Sequence, residues 1–239
     1  MTSSEPLGVA LVTGASRGIG RSAARALAKA GYHVVAVARS QKALEGLDDE
    51  VRKAGGAASL VPMDLKDYEA IDRLGGVIYE RWGKLDALFA NAGILGDLMT
   101  VADAQPKMFE ETMATNVLAN QRLIRSMDRL LRGATPPGRA LFMTSSVAQS
   151  PRPFWGAYGA SKAALESMAM SYAQEVGFTG VRVNILDPGA TRSVMRAKAF
   201  PGEDPMTLKS PDEVAAMVVE LLSPDATRHG ERVTYTPEP

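Results

Sequence analysis

Cysteine is absent from the chain, which excludes a disulfide framework and any thiolate-bound metal. Histidine is nearly as scarce. His33 and His229 stand alone, away from any cluster of acids, so no metal site is expected. Charge of one sign is missing too: Lys and Arg number 27, Asp and Glu 27, and the formal net charge is zero. Without a basic excess or stripe, nucleic acid is not an expected partner, and any affinity for phosphate must be local. Uncharged runs are cut by Gly and Ser well before the roughly 20 residues of a membrane span. The opening Met1-Thr-Ser-Ser-Glu-Pro-Leu has neither the basic nor the apolar block of a signal peptide. The expected compartment is therefore the cytoplasm, with no membrane partner.

What is present is an ordinary globular composition, 46% hydrophobic and 23% charged over 239 residues. That suits one domain over 1–239. Apolar runs of strand length alternate with stretches of helical period. Strands are predicted at Gly8–Thr13, Tyr32–Ala38, Ala58–Pro62, Leu85–Asn91, Arg139–Ser145, Val181–Leu186 and Glu231–Thr236. Helices are predicted after Gly18 and at Lys42–Ala54, Tyr68–Trp82, Gln105–Arg132, Gly156–Val176 and Pro211–Leu222, the last with Ser210 as its cap. Continuous apolar strands between helices imply an α/β fold, a doubly wound parallel sheet of about seven strands in the Rossmann manner, with helices on both faces. The Pro- and Gly-bearing connection Pro188–Pro211 is long for a compact domain and reads as a substrate lid over 189–210.

Thr13-Gly-Ala-Ser-Arg-Gly-Ile-Gly20 falls between the first strand and its helix. Glycines there allow a tight turn and close backbone approach, and a helix N-terminus offers free N–H groups, so the loop suits a pyrophosphate. The second strand ends Val37-Ala38-Arg39-Ser40, without the acid that usually holds an NAD ribose. Arg17 and Arg39 instead supply guanidiniums that match a 2′-phosphate, which favours NADP(H). Tyr158 and Lys162 are four residues apart on a predicted helix and so share a face. A free phenol titrates near pKa ~10. An ammonium about 4 Å away is worth on the order of 4 kcal/mol at an effective dielectric of ~20, enough to bring the phenolate within reach.

Taken in order, TGASRGIG at 13–20, NAG at 91–93, Asn116, SSV at 145–147, YGASK at 158–162 and DPGATRS at 187–193 resemble the short-chain dehydrogenase/reductase family, in its compact branch. The likeness runs from about Val9 to the final strand. It implies that Gly14, Ser16, Arg17, Gly18, Ile19 and Gly20 hold the cofactor phosphates and that Asp64 contacts the adenine. Asn91, Ala92 and Gly93 would line the adenosine ribose, while Pro188, Gly189 and Thr191 would position the nicotinamide. Tyr158 would be the acid–base residue, with Lys162 lowering its pKa and binding the nicotinamide ribose. Asn116 would hold a water in the proton relay. A serine would bind the substrate oxygen. Counting thirteen residues back from the tyrosine selects Ser145; matching the following Val-Ala selects Ser146, which is the expectation taken here. Ala90 replaces the first Asn of the family's usual Asn-Asn-Ala-Gly. Segments 92–97, 155–158 and 195–205 resemble more narrowly the YciK-like bacterial oxidoreductases.

The reading that follows is an NADP(H)-dependent oxidoreductase acting on a small carbonyl or alcohol. A non-catalytic NADP(H) sensor on the same fold is the rival, but it has no need of the Tyr/Lys pair. An extended sugar-nucleotide epimerase would need a larger C-terminal domain than the residues after Pro188 supply. Leu95, Pro151, Pro153, Phe154, Trp155, Met195 and Phe200 are candidates for an apolar substrate pocket, with Arg152 turned to solvent. Met168, Met170, Tyr172 and Ala173 make the Tyr158 helix apolar on more than one side, which suggests a homodimer or homotetramer.

Overall fold

Buried strands alternating with amphipathic helices leave a parallel sheet as the natural outcome, and the computed structural model, which describes residues 7–235, contains one. Its strands are β1 (Gly8–Thr13), β2 (Tyr32–Ala38), β3 (Ala57–Pro62), β4 (Ala87–Ala90), β5 (Arg139–Met143), β6 (Arg182–Asp187) and β7 (Glu231–Thr234). They form a seven-stranded sheet in the order β3-β2-β1-β4-β5-β6-β7, parallel throughout. The helices are α1 (Gly18–Lys29), α2 (Gln41–Lys53), α3 (Tyr68–Trp82), α4 (Pro106–Met113), α5 (Ala119–Arg132), α6 (Gly156–Val176), α7 (Val194–Ala199) and α8 (Pro211–Leu222).

Alternation along each strand divides the core. Ala10 and Val12 of β1 face α1, α2 and α8 through Leu27, Leu44 and Val218. Val9 and Leu11 face α3, α5 and α6 through Ile78, Leu123 and Leu165. Both faces are covered, which is why the strands read as apolar runs. Strand order reverses between β1 and β4, so the crevice for a ligand opens at their carboxyl ends.

Some boundaries depart from the sequence reading. The single helix expected over 105–132 is interrupted by a π-turn at Ala114–Leu118, which puts one extra residue into the winding at Asn116. The fourth and fifth strands end earlier than expected, because Asn91 and Thr144 turn to other partners, Thr13 and Glu166. The segment 189–210, expected to be a lid, holds a short helix, α7, and a 3₁₀ turn at Pro205–Thr207. Thr236, given to the last strand, lies outside the described residues. No helix among the described residues is long and apolar enough to cross a membrane.

The start of α8 is written locally. Ser210 Oγ accepts from the Glu213 amide at 3.3 Å and the Glu213 carboxylate accepts from the Ser210 amide at 2.6 Å, a capping box with Pro211 in the first turn. Ser210→Ala should lower unfolding free energy in urea by about 1 kcal/mol, with the tertiary circular dichroism unchanged.

Candidate active site

A cavity of about 700 Å³ runs along the carboxyl ends of the strands, from the loop after β1 to α7. Its first end is the glycine loop. Gly14 and Gly18 have φ of +70° and +56°, which L side chains rarely adopt. A Cβ on Gly20 would lie 2.3 Å from the Gly14 carbonyl oxygen, so the helix start can pack against the loop only as glycine. The first turn of α1 carries no acid and no side-chain cap, leaving its N–H groups for an anion. Thr13 anchors the loop: its Oγ1 accepts from the amides of Asn91 and Ala92, both at 3.1 Å, and its carbonyl accepts from Asn91 Nδ2 at 3.0 Å. Asn91 therefore fastens β4 to β1 at the point where the sheet reverses.

Arg17 and Arg39 both line this end and are exposed, and among the described residues neither guanidinium is paired with a carboxylate. Asp64 lines it as well, with Oδ1 accepting from the Lys66 amide at 2.9 Å. Lys66 is a third cation here that the sequence reading passed over.

The other end holds the acid–base pair. Tyr158 and Lys162 are both buried on α6. Lys162 Nζ donates to the Met143 carbonyl at 2.8 Å and stands 5.7 Å from the Tyr158 ring centre. Burial pushes the lysine down to about 8, opposed by the Glu166 carboxylate. Burial likewise pushes the Tyr158 phenol up to about 12; Ser145 lowers it by hydrogen bonding and the Asp187 charge raises it. The expected lowering of Tyr158 by Lys162 is not found. The ammonium is turned on a carbonyl, and desolvation of the phenol outweighs every other influence.

The two serines are placed differently. Both line the cavity, but Ser145 is half-buried with its hydroxyl toward Tyr158, whereas Ser146 begins a 3₁₀ turn and is exposed. The chain leaves β5 extended at Ser145 (φ −160°), and this aims that side chain at α6.

Asn116 is fully buried and off the cavity wall. Its Oδ1 accepts from the Ile94 amide at 2.8 Å, and Nδ2 donates to the Ile94 carbonyl and to Ser161 Oγ, both at 2.9 Å. Its own carbonyl accepts from Asn120 Nδ2 at 2.8 Å. In this structure Asn116 thus ties the loop after β4 to α6. Gly93 passes between Asn116 and Lys162, where a Cβ would come 3.1 Å from Oδ1 and 3.4 Å from Nζ. Gly20 is also off the wall, packed behind the loop, while Gly14, Ser16, Arg17, Gly18, Ile19, Arg39, Asp64, Asn91, Ala92, Gly93, Tyr158, Lys162, Pro188, Gly189 and Thr191 line the cavity. In the turn after β6, the Gly189 amide donates to Asp187 Oδ1 at 3.0 Å and Thr191 Oγ1 to the Pro188 carbonyl at 3.2 Å.

Beyond Tyr158 the wall is apolar. Leu95, Val147 and Tyr158 cluster with Trp155, Met195 and Ala199. Trp155 meets Tyr158 edge-on at 5.9 Å and Phe200 of the lid at 5.6 Å. Lys198 Nζ donates to the Gly96 carbonyl at 3.0 Å, which fastens α7 to the loop after β4, while Arg196 pairs with Glu203 of its own segment at 2.6 Å. Pro151, Pro153, Phe154 and Phe200 do not line the cavity; Arg152, expected in solvent, is exposed but also borders it.

Residues 8–204 match the sequence model of the short chain dehydrogenase family. The chain belongs to that family. Among its relatives is YciK, an uncharacterised oxidoreductase of Escherichia coli, 34% identical over 92% of this chain and 88% of that protein. Versicolorin reductase stcU of Emericella nidulans is 32% identical over 89% of this chain and 81% of that protein. A short chain dehydrogenase of Shigella flexneri solved with NADP superposes with a TM-score of 0.92 at 33% identity, covering 97% of this chain and 98% of that one. One of Escherichia coli solved with NADPH gives 0.91 at the same identity and coverage. As in these relatives, the sheet is the Rossmann-like one expected, and the chain is an oxidoreductase by family.

The two serines can be separated directly. With NADPH and a reducible ketone, Ser145→Ala should lower kcat by on the order of a hundredfold, the scale of losing a group that acts on the reacting oxygen. Ser146→Ala should change it by no more than about threefold; the reverse order would reinstate Ser146.

Proposed function

We propose that this chain is an NADP(H)-dependent oxidoreductase that interconverts a carbonyl and a secondary alcohol. One observation carries the reading: a single crevice joins a glycine loop flanked by two unpaired guanidiniums to the buried Tyr158 and Lys162 and the half-buried Ser145. The residues fit a phosphorylated dinucleotide. Gly14 and Gly18 admit the backbone approach that a pyrophosphate needs, Gly20 lets α1 pack behind them, and β2 ends at Ala38 with no carboxylate to repel a 2′-phosphate. Arg17 and Arg39 would hold that phosphate, Asp64 the adenine, and Pro188, Gly189 and Thr191 the nicotinamide. The relatives solved with NADP and NADPH support the same choice.

When bound, the cofactor supplies or accepts the hydride. Tyr158 transfers the proton at the substrate oxygen, Ser145 holds that oxygen, and Lys162 meets the nicotinamide ribose. Burial pushes the Tyr158 phenol up, so at neutral pH it carries the proton that it would donate to a carbonyl oxygen. Asn116 holds α6 and the loop after β4 in register, beside the water-binding role that the family resemblance implies. The apolar wall of Leu95, Trp155 and Met195 favours an apolar carbonyl, and 189–210 acts as the lid.

We also propose a homodimer or homotetramer, on narrower grounds than the sequence offered. Tyr172 and Ala173 are buried in the chain's own core, so the support is the half-buried Met168 and Met170 and the exposed Phe178 that follows α6. Light scattering should give a mass of at least twice 25.4 kDa, and Phe178→Asp should shift the population toward the monomer.

Cofactor preference tests the main reading. Charge-assisted hydrogen bonds contribute about 1.5–3 kcal/mol each. Two exposed ones, discounted for screening, should favour NADPH over NADH by on the order of a hundredfold in kcat/KM. Ala38→Asp with Arg39→Ala should reverse the preference, and added salt should erode the NADPH advantage first. Equal binding of NADH and NADPH by fluorescence titration would defeat this assignment.

A further inference from the structure

Three charged side chains beside the catalytic pair have no part in the chemistry above. Glu166 follows Lys162 by one turn of α6, so Tyr158, Lys162 and Glu166 lie along one face. The buried Glu166 carboxylate accepts from Thr144 Oγ1 at 2.6 Å, Gln149 Nε2 at 3.3 Å and Arg232 Nε at 3.1 Å. The far side of that guanidinium, Nη2, donates to Asp187 Oδ2 at 2.8 Å, and Asp187 Oδ1 accepts from the Gly189 amide. A third nitrogen, Nη1, reaches Thr234 Oγ1 at 2.9 Å. An arginine of the last strand thereby joins the helix of the acid–base pair to the turn at Pro188–Gly189.

We infer that Arg232 is a positioning residue, which acts through Glu166 and Asp187 to set the charge state of Lys162 and to hold the catalytic helix in register with the Asp187–Gly189 turn. Its catalytic consequence rests on the proposed function; its electrostatic content does not. Within this buried cluster two carboxylates, Glu166 and Asp187, are balanced by Arg232 and Lys162. Side-chain exposure is only 19% for Arg232, 12% for Glu166 and 5% for Asp187, so solvent screens these charges weakly. The groups around Lys162 are Tyr158 and Glu166 on α6, the Met143 carbonyl of β5, and Asn116 beside Gly93. Behind Glu166 stand Arg232 of β7 and Asp187 of β6, and Lys209 faces Asp187 from the segment before α8. Arg232 is thus the cation that partners both carboxylates. Without it, Glu166 would act on Lys162 unopposed and hold the lysine's proton more firmly. Without Glu166, the lysine would release it earlier. A bridge that served packing alone would not produce opposite signs.

Lys162 provides a readout that needs no substrate. Its folded pKa, about 8, lies below the ordinary 10.5, so between those values the unfolded chain binds more protons than the folded one. Stability therefore gains a contribution that grows as pH rises through that window. Urea midpoints measured from about pH 7 to 10 locate its onset. Arg232→Gln should move the onset up by about half a pH unit and Glu166→Gln should move it down by a similar amount, with Arg232→Lys near the wild type. The alkaline loss of NADPH affinity, followed by fluorescence, should shift in the same order. If Arg232→Gln does not fold, the downward shift in Glu166→Gln and the null shift in Arg232→Lys still decide the matter. Midpoints that fall in both variants with no shift in onset, or with shifts of one sign, would overturn the inference. Opposite shifts in a protein that binds no NADPH would leave it standing and remove the cofactor reading instead. NADPH binding with no opposite shifts would do the converse.

Discussion

An ammonium cut off from water costs several kcal/mol unless other groups replace its hydration. Lys162 is in that position, and much of the active-site end is arranged around it. The Met143 carbonyl, where β5 ends, accepts a hydrogen bond from it at 2.8 Å. Gly93 lacks the side chain that would crowd its ammonium, and Asn116 closes the space beyond. Glu166 supplies the opposite charge, and Arg232 and Asp187 in turn balance Glu166. Parts of β4, β5, β6, β7 and the π-turn before α5 are thereby committed to one buried charge. The same burial raises the Tyr158 phenol, so a single desolvated environment fixes both the lysine as a cation near its titration point and the tyrosine as an acid.

The crevice is electrostatically divided along its length. At the glycine loop the cations are exposed and free to meet a phosphate: Arg17, Arg39 and Lys66. At the far end the charges are buried and internally balanced, and the wall beside Tyr158 is Leu95, Val147, Trp155 and Met195. The first region suits an anionic dinucleotide, and under the proposed function the second takes an apolar carbonyl. What keeps the two in register is the clamp of Thr13 on Asn91 and Ala92, which fastens β1 to β4 where the sheet reverses.

The fold and the loop chemistry were legible because they are local. Apolar runs and helical period locate the strands and helices, and the glycine spacing, the acid-free end of β2 and the Tyr158–Lys162 step are readable without coordinates. Matters that depend on how a strand end turns were not. The two serines differ by one residue, and only the folded chain shows that it is the Ser145 hydroxyl that reaches Tyr158. The π-turn at Asn116 carries no pattern of its own in the sequence, and the partner that Asn116 meets there, the Ile94 backbone, comes from another element. Glu166 could have been noticed as the next residue in the step of four from Tyr158 through Lys162. Arg232 could not, since its partners lie 45 and 66 positions away and meet it only because β7 pairs with β6. The upward push of burial on Tyr158 was hidden for a similar reason: a spacing gives proximity, while desolvation depends on everything packed around the pair.

The most direct test of the central claim follows the hydride and the proton together. Wild-type protein would be incubated with NADPH deuterated at the reactive carbon of the nicotinamide and a panel of ketones, aldehydes and 3-oxoacyl thioesters, and the products read by mass spectrometry. The expected result is deuterium at the former carbonyl carbon of an apolar substrate, and in Tyr158→Phe a loss of turnover of about 10²–10⁴-fold with NADPH still bound. Deuterium transfer at an undiminished rate in Tyr158→Phe would contradict it.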